Sequence, residues 1–213
     1  MRSVRILALA VAAVVLTSGG SAWAGAPTDQ LRGRIDRVLQ VLEDPELKAD
    51  TRVDERRATI RALAHEIFDF RELSQRALAR HWQERTAAER DEFVGLFADL
   101  LERSYIGKIE TYSGGDRIQY TSESADGNQA TVRTRIVTTS GTEIPVDYRL
   151  HRIGERWLVY DVTIEGVSLV ANYRAQFNRI IRTSSFSGLV AKLAAKKDEA
   201  GGAAVEATRA SQK

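Results

Sequence analysis

Residues Val159–Phe177 read V-Y-D-V-T-I-E-G-V-S-L-V-A-N-Y-R-A-Q-F, and the spacing of the apolar residues changes within this stretch. Up to Ile164 they occupy both odd and even positions, as expected for a strand that is covered on both faces. Beyond Gly166 they recur at the spacing of one helix face, at Leu169, Tyr173, Phe177, Ile180 and Ile181. The stretch predicts a strand that turns at a glycine into a helix packed back on the sheet, which leaves a hollow to be lined.

Three further segments with strand periodicity precede this one. We predict strands near residues 117–122, 129–139, 142–151 and 156–165. They are joined at Asp126-Gly127, Ser140-Gly141 and Gly154-Glu155, which are hairpin signals. Short turns between successive strands indicate an antiparallel meander. Pro145 lies inside the third strand and predicts an edge strand, a bulge or a strand start there.

Helical periodicity fills the remainder of the chain. Four helices are predicted before the strands: one from Pro27 and Thr28 to Pro45, one ending near Ile67, a short one over Leu73–Trp82, and a long one that runs to Gly114-Gly115. The long helix opens with the capping box Thr86-Ala-Ala-Glu89. Two more helices follow the strands, over residues 168–182 and 186–196. This order predicts an α+β fold, a curved antiparallel sheet of four or slightly more strands with helices packed on one face.

The two ends of the chain differ from the part between them. Arg2 and Arg5, an apolar run and Ala22-Trp23-Ala24 are typical of a secretory signal peptide over residues 1–24, cleaved after Ala24. The apolar run is shorter than the roughly 20 residues of a membrane-spanning helix. Residues 198–213 have the composition of a disordered tail. We therefore expect a single domain over residues 25–197.

Charge and cysteine content exclude several classes of function. The chain has 31 basic and 29 acidic residues, and removal of the leader takes away two arginines and no acid, so the mature chain is about neutral. Nucleic-acid recognition needs a concentrated basic face, so we expect no nucleic-acid partner. There is no cysteine, so neither disulfides nor thiolate metal sites are available in an oxidising compartment.

A second block of sequence agrees with the first in pointing to one family. It consists of Phe68-Asp69-Phe70, Leu73-Ser74, Ala77-Leu78, Arg80-His81-Trp82, Thr86, Glu89-Arg90, Phe93, Leu96-Phe97, Leu100-Leu101 and Tyr105. In order and spacing the two blocks resemble the MlaC family, also called the toluene-tolerance family. This family is the periplasmic phospholipid-binding component of the Mla lipid-transport system. Ala79 stands where glycine would be expected from the family, and because alanine is the better helix former this departure puts little of the resemblance in doubt.

The resemblance implies a shuttle that carries a phospholipid between the inner and outer membranes of a Gram-negative envelope and maintains outer-membrane lipid asymmetry. It implies an NTF2-like cone with extra N-terminal helices. The implied partners are an inner-membrane ABC transporter complex and an outer-membrane lipoprotein, with transient membrane contact. The implied location is the periplasm. The phospholipid is cargo, and neither a cofactor nor a catalytic activity is implied.

Large apolar residues supply the candidate lipid-binding site. Taken alone they favour a packed core, and the resemblance favours the shared lining of a lipid tunnel instead. Arg174 and the polar tips of three tyrosines are candidates for contact with a phosphate. The predicted lipid-binding residues are Phe93, Phe97, Leu101, Tyr105, Val132, Ile136, Val146, Tyr148, Leu150, Leu169, Tyr173, Arg174 and Phe177.

Other hypotheses stay open at the level of sequence. An alternative cargo for a carrier is a hopanoid or another rigid apolar lipid. A cavity enzyme would need a buried pair such as Asp161 with a tyrosine, and an envelope interaction module would have a solid core. Ser168 is better interpreted as a helix N-cap than as a nucleophile, since Val170 replaces the glycine of that motif. His65 and Asp69 have metal-ligand spacing, but no second histidine or cysteine supports a metal site.

Overall fold

The computed structural model describes residues 26–110 and 115–197. The helices are α1 (Ala26–Glu43), α2 (Val53–Ile67), α3 (Phe70–Leu78), α4 (Arg80–Gln83), α5 (Ala87–Glu110), α6 (Leu169–Thr183) and α7 (residues 186–197). The strands are β1 (Arg117–Asp126), β2 (Gln129–Val137), β3 (Glu143–Ile153), β4 (Arg156–Ile164) and β5 (Val167–Ser168). A 3-10 turn, Asp50–Arg52, precedes α2. The predictions for the leader, its cleavage after Ala24, the helix end near Gly114 and the tail from residue 198 concern residues outside the described ranges.

The predicted α+β fold is confirmed. The strands form one antiparallel sheet in the order β1-β2-β3-β4-β5, so each strand pairs with its neighbours in sequence. The fifth strand is the addition to the four that the sequence predicts. It follows a tight turn in which Glu165 and Gly166 both have positive φ, as a two-residue hairpin turn requires. Among the described helices, none is both long and apolar enough to span a membrane.

A bulge in β4 decides which side chains share a face of the sheet. Leu150 pairs with Val159 and Arg149 pairs with Asp161, so Tyr160 is an extra residue without an opposite partner. The prediction that β4 is covered on both faces is confirmed, because residues 159–162 are all buried. The bulge also interrupts the alternation of faces along β4, because it brings Val159 and Val162 into the same apolar cluster. A second irregularity, in β1, adds to the curvature of the sheet.

Pro145 is tolerated in β3 although this strand lies in the middle of the sheet. Its carbonyl accepts a 3.0 Å hydrogen bond from the amide of Glu165, beyond the end of β4. The N–H that proline lacks would point to the same neighbouring strand as the Pro145 carbonyl, namely β4. The pairing of β3 with β4 begins at Val146, one residue after Pro145. Pro145 therefore costs the sheet no ladder bond. Of the three predicted alternatives, a position near the strand start is the one found.

Polar contacts fix α1 across the apolar face of the sheet. At one end, the Glu123 carboxylate of β1 accepts hydrogen bonds from the amide and the hydroxyl of Thr28. Further along the helix, Arg34 donates to the carbonyl of Trp157 at 2.6 Å, and the Trp157 amide donates to Gln30 at 3.0 Å. The helix is thus tied to both β1 and β4. The carboxylate at its first turn also complements the helix dipole.

The predicted helix over Leu73–Trp82 is interrupted at Ala79. This residue has φ 49° and ψ −121°, and it separates α3 from α4. An L-residue rarely adopts such a conformation, whereas glycine adopts it readily. The reason for discounting this departure, that alanine favours helices, is therefore wrong at this position. The position is a junction between helices, where the family's glycine is the residue that the backbone favours.

The interior divides into two main apolar clusters. The helical cluster consists of Phe70, Leu73, Ala77, Leu78, Trp82, Phe93, Phe97, Ala98, Leu101, Val170, Phe177, Phe186, Leu189 and Leu193. The sheet cluster consists of Leu31, Ile67, Ala130, Val132, Val146, Leu150, Trp157, Val159 and Val162. Phe68 packs against both clusters. It forms a parallel bridge to Val159, and the next amide, of Asp69, donates to the Val159 carbonyl at 2.9 Å.

Ion pairs join α2 to α5 along one side of the molecule. Glu110 accepts from Arg56 at 3.0 Å and from Arg57 at 2.9 Å. Glu102, nearer the start of α5, contacts Arg61 and His65. Both glutamate side chains are only 11% exposed. The arginines of α2 therefore act in packing two helices together.

Candidate lipid-binding site

The predicted lipid-binding residues fall into two groups in the structure. Those of α5 and α6, namely Phe93, Phe97, Leu101, Tyr105, Leu169, Tyr173 and Phe177, belong to the helical cluster or pack against it. Those of the sheet, namely Val132, Ile136, Val146, Tyr148 and Leu150, belong to the sheet cluster or pack against it. Arg174 lies on the exposed side of α6 and in neither cluster. The structure thus brings each group together and links the two at Phe68.

The helical group is most tightly packed near the start of α5. Phe93 and Phe97 have no exposed surface, and Phe177 meets both rings edge-on, at centroid distances of 5.5 and 5.1 Å. Side chains that interlock in this way complete one another and form a core. Further along the helix Tyr105 is half-buried and Ile109 is 38% exposed. The surface that a ligand can touch on this group therefore lies towards the end of α5.

Tyr105 and Tyr173 mark that less covered end. Tyr173 lies edge-on to Phe97 at 5.1 Å, so it sits at the border between the packed aromatic residues and the partly exposed ones. Burial raises the pKa of Tyr105, and the neighbouring Tyr173 acts in the same direction. Lys108 stands over the Tyr105 ring at 5.2 Å. This end of α5 and α6 combines apolar ring surface with polar tips.

The sheet group contains both covered and uncovered side chains. Val132 and Leu150 have no exposed surface, whereas Ile136 and Tyr148 are incompletely covered by protein atoms. Burial raises the pKa of Tyr148 to about 12, although its interaction with the Thr134 side chain acts in the opposite direction. Ile136 and Tyr148 are therefore predicted sheet residues whose side chains keep some surface that a ligand could cover.

Two residues that pack against the sheet cluster, Tyr120 and Phe68, were not among the predicted site residues. Tyr120 lies opposite Thr134, which in turn lies opposite Val146, so all three share the apolar face of the sheet. In the first strand, Ile118 and Tyr120 alternate with polar residues, and this alternation indicates that Tyr120 faces the interior. Phe68, which joins the two clusters, had no such signal, because its role depends on contacts with β4, far along the chain.

Arg174 makes a contact with the protein itself. Its Nε donates a 2.9 Å hydrogen bond to the carbonyl of Arg76 in the last turn of α3. This bond satisfies a carbonyl at a helix end and ties α6 to α3. Contact between Arg174 and a lipid phosphate stays a prediction.

The polar residues considered for catalysis have structural contacts. The Ser168 hydroxyl donates to Asp161 at 2.7 Å and accepts from the amide of Ala171 at 3.0 Å, so the predicted N-cap is confirmed. The second oxygen of Asp161 accepts from the Val170 amide at 3.1 Å. Asp161 therefore holds the first turn of α6 against β4, and among the described residues its hydrogen-bond partners are Ser168 and Val170 rather than a tyrosine.

The second polar pair was not found from sequence, because its members are 82 positions apart. Asp69 Oδ2 lies 3.0 Å from His151 Nε2, while its other oxygen caps α3 by accepting from the Glu72 amide. The pair therefore joins β3 to the start of α3. His65, which has metal-ligand spacing to Asp69, contacts Glu102 instead. Within the described ranges, no group of three potential metal ligands occurs.

The fold and these clusters define an α+β protein whose five-stranded meander and surrounding helices enclose an apolar interior. Comparison with known proteins makes the assignment specific. The sequence model of the MlaC protein family matches residues 32–195. The chain belongs to the MlaC family.

Two relatives are informative. The intermembrane phospholipid transport system binding protein MlaC of Haemophilus influenzae is 26% identical over 123 residues, which are 55% of this chain and 57% of that protein. The chain thus matches little more than half the length of that relative. The solved structure of a phospholipid-binding protein from Ralstonia solanacearum, in complex with a phospholipid, superposes with a TM-score of 0.69 at 25% identity. That superposition covers 80% of this chain and 96% of the other.

Proposed function

We propose that this protein is a phospholipid-binding shuttle of the periplasm that carries lipid between the inner and outer membranes. The observation that supports this most is the correspondence with a structure solved in complex with a phospholipid, over nearly the whole length of that chain. The incomplete covering of Tyr148 and Ile136 supports it independently, because these side chains lie on the apolar face of the sheet. The acyl chains of the lipid would cover them.

The energetics of such a site require no catalytic or coordinating group. Burial of each methylene is worth about 0.8 kcal/mol, so two acyl chains are worth on the order of 20 kcal/mol relative to water. Movement of the same chains from a bilayer into the protein exchanges one apolar environment for another, and the net free energy is small. The docking partners therefore set the direction of transfer. The shuttle itself needs only to shield the chains.

The partners and the location are parts of the same proposal. An inner-membrane ABC transporter complex and an outer-membrane lipoprotein would deliver and receive the lipid, with transient contact at each membrane. The signal peptide over residues 1–24, cleaved after Ala24, would export the chain to the periplasm. The bound phospholipid is cargo and takes the place of a cofactor.

Lipid extraction from the purified protein tests the proposal. The full chain is expressed with its own leader in a Gram-negative host and purified from the periplasmic fraction. Its solvent extract is analysed by mass spectrometry. We expect phospholipid at about one molecule per protein. A leaderless version, purified without membranes and never exposed to lipid, is the matched control and should yield none.

The same extract distinguishes the alternatives. If a hopanoid is recovered from a host that makes both lipids, the cargo is that apolar lipid and not a phospholipid. Recovery of no lipid from well-folded exported protein would contradict the carrier function. N-terminal sequencing of that protein should begin at Gly25, and any other start would contradict cleavage after Ala24.

A further inference from the structure

One polar atom on the apolar face of the sheet is left without a partner. The hydroxyl of Tyr120 is buried and makes no hydrogen bond to any described residue. Buried hydroxyls are nearly always hydrogen-bonded, because an unpaired one loses its bonds to water and gains nothing in exchange. The Tyr120 hydroxyl therefore lacks the hydrogen-bond partner that an ordinary core tyrosine has. A group from outside the chain would supply that partner.

The surroundings of Tyr120 restrict the chemistry of that group. Across the sheet the row continues through Thr134, Val146 and Ile164, so the hydroxyl sits in a mainly apolar row. Burial raises the pKa of Tyr120 well above its ordinary value, and the neighbouring Tyr148 and Asp36 act in the same direction. At neutral pH Tyr120 is a neutral hydrogen-bond donor. An uncharged acceptor suits an apolar, desolvated position better than an anion does.

The Thr134 hydroxyl, on the same face, has a partner, because it donates to the carbonyl of Val146 at 2.8 Å. The guanidinium of Arg32, on α1, lies 4.5 Å from the centre of the Tyr120 ring and fixes that ring by a cation–π contact. Tyr120 is thus held in place by α1 while its hydroxyl has no described partner.

We infer that the Tyr120 hydroxyl donates a hydrogen bond to an ester carbonyl of a bound glycerolipid, and that it thereby selects acyl lipids over lipids that lack such a carbonyl. The inference rests on the proposed function and adds a point of recognition within the apolar site. An ester carbonyl is an uncharged acceptor that joins the polar and apolar parts of the lipid. Its recognition at Tyr120 would set the depth to which the chains enter.

Competition between two lipids tests this inference. Delipidated full-length protein is incubated with an equimolar mixture of a diacyl phosphatidylglycerol and its dialkyl ether counterpart with chains of the same length. The bound lipids are then quantified by mass spectrometry. The wild-type protein should be enriched in the diacyl lipid by about five- to tenfold, the usual consequence of one buried polar group left unpaired. In Tyr120→Phe the ratio should fall to about one, with total bound lipid retained.

Tyr160→Phe is the matched control, because Tyr160 is a buried tyrosine whose ring is covered by Arg76 at 3.9 Å, outside the sheet cluster. Its lipid ratio should equal that of the wild type. Equal uptake of both lipids by the wild type, or an unchanged preference in Tyr120→Phe, would overturn the inference and leave the carrier function standing. Uptake of neither lipid by the wild type would overturn both. Thermal denaturation of lipid-free Tyr120→Phe, expected at or above the wild-type midpoint, confirms that the variant is folded.

Discussion

The hydroxyl of Ser168 and the carboxylate of Asp161 are joined by a 2.7 Å hydrogen bond that closes the turn between β4 and α6. Asp161 is buried, and its other oxygen holds the Val170 amide. We predict that Asp161→Ala lowers the free energy of unfolding by about 2–4 kcal/mol, because it leaves the buried Val170 amide and the half-buried Ser168 hydroxyl without their acceptor. Ser168→Ala should cost about 1 kcal/mol, as is usual for loss of an N-cap. Urea denaturation measures both.

Ser187→Ala serves as the control for these two variants, since Ser187 is exposed on α7. It should change stability by less than about 0.5 kcal/mol. If Asp161→Ala proved no more harmful than this control, Asp161 would not be the residue that fixes the start of α6.

Ala79→Gly should stabilise the protein. Glycine has more conformational entropy to lose on folding, but it relieves the strain of positive φ at the α3–α4 junction. The strain is worth about 1–3 kcal/mol and the entropy about 0.4–1 kcal/mol, so we expect a net gain of about 1 kcal/mol. Ala175→Gly, at an exposed position in the middle of α6, is the matched control and should cost up to about 1 kcal/mol. Equal losses in the two variants would show that Ala79 carries no strain.

The contact between α2 and α5 should weaken in acid. Burial alone would raise the pKa of Glu110, but hydrogen bonds from Arg57 and Arg56 outweigh it and hold the pKa below its ordinary value of 4.5. The stabilisation is therefore present above about pH 4.5 and is lost as the pH falls through the lowered pKa. We expect Glu110→Gln to cost about 1 kcal/mol at pH 7. The difference from wild type should shrink as the pH falls from 5 to 3, and a difference independent of pH would contradict this account.

Two tryptophan variants in β2 distinguish a lining from a packed core. Ile136 lies on the apolar face and Val137 on the opposite face of the same strand. Ile136→Trp should lower bound phospholipid about fivefold or more, because the ring takes up space that the acyl chains need. Val137→Trp should leave lipid binding unchanged. If Ile136→Trp instead lowered the melting temperature of the lipid-free protein and spared lipid binding, Ile136 would belong to a filled core.

Local signals in the sequence were sufficient for many features of the fold. The capping box predicted at Thr86 and Glu89 is present, with the Glu89 amide donating to the threonine hydroxyl and the Thr86 amide to the carboxylate. The N-cap at Ser168 and the hairpin turn at Gly127 are likewise found where predicted. Each of these depends on residues within a few positions of one another. Sequence spacing therefore carries the information directly.

Features that depend on distant contacts could not be predicted in the same way. The bulge at Tyr160 shifts the register by one residue, and nothing in the alternation of β4 indicates it. The division of the candidate lining into two clusters depends on how α1, α5 and the sheet pack around Phe68. At Ala79 helix propensity pointed to a continuous helix, but tertiary structure imposes a junction there. Propensity is a weak guide where backbone geometry is set by packing.

A crystal structure of the protein loaded with a phospholipid brominated along its acyl chains would test the central claim most directly. Anomalous scattering locates the bromine atoms without reference to the protein coordinates. We predict bromine positions inside the molecule, within about 4.5 Å of Tyr148 and Ile136. Bromine found only on the outer surface, with protein side chains filling the space beside Tyr148, would contradict the assignment of this interior to lipid.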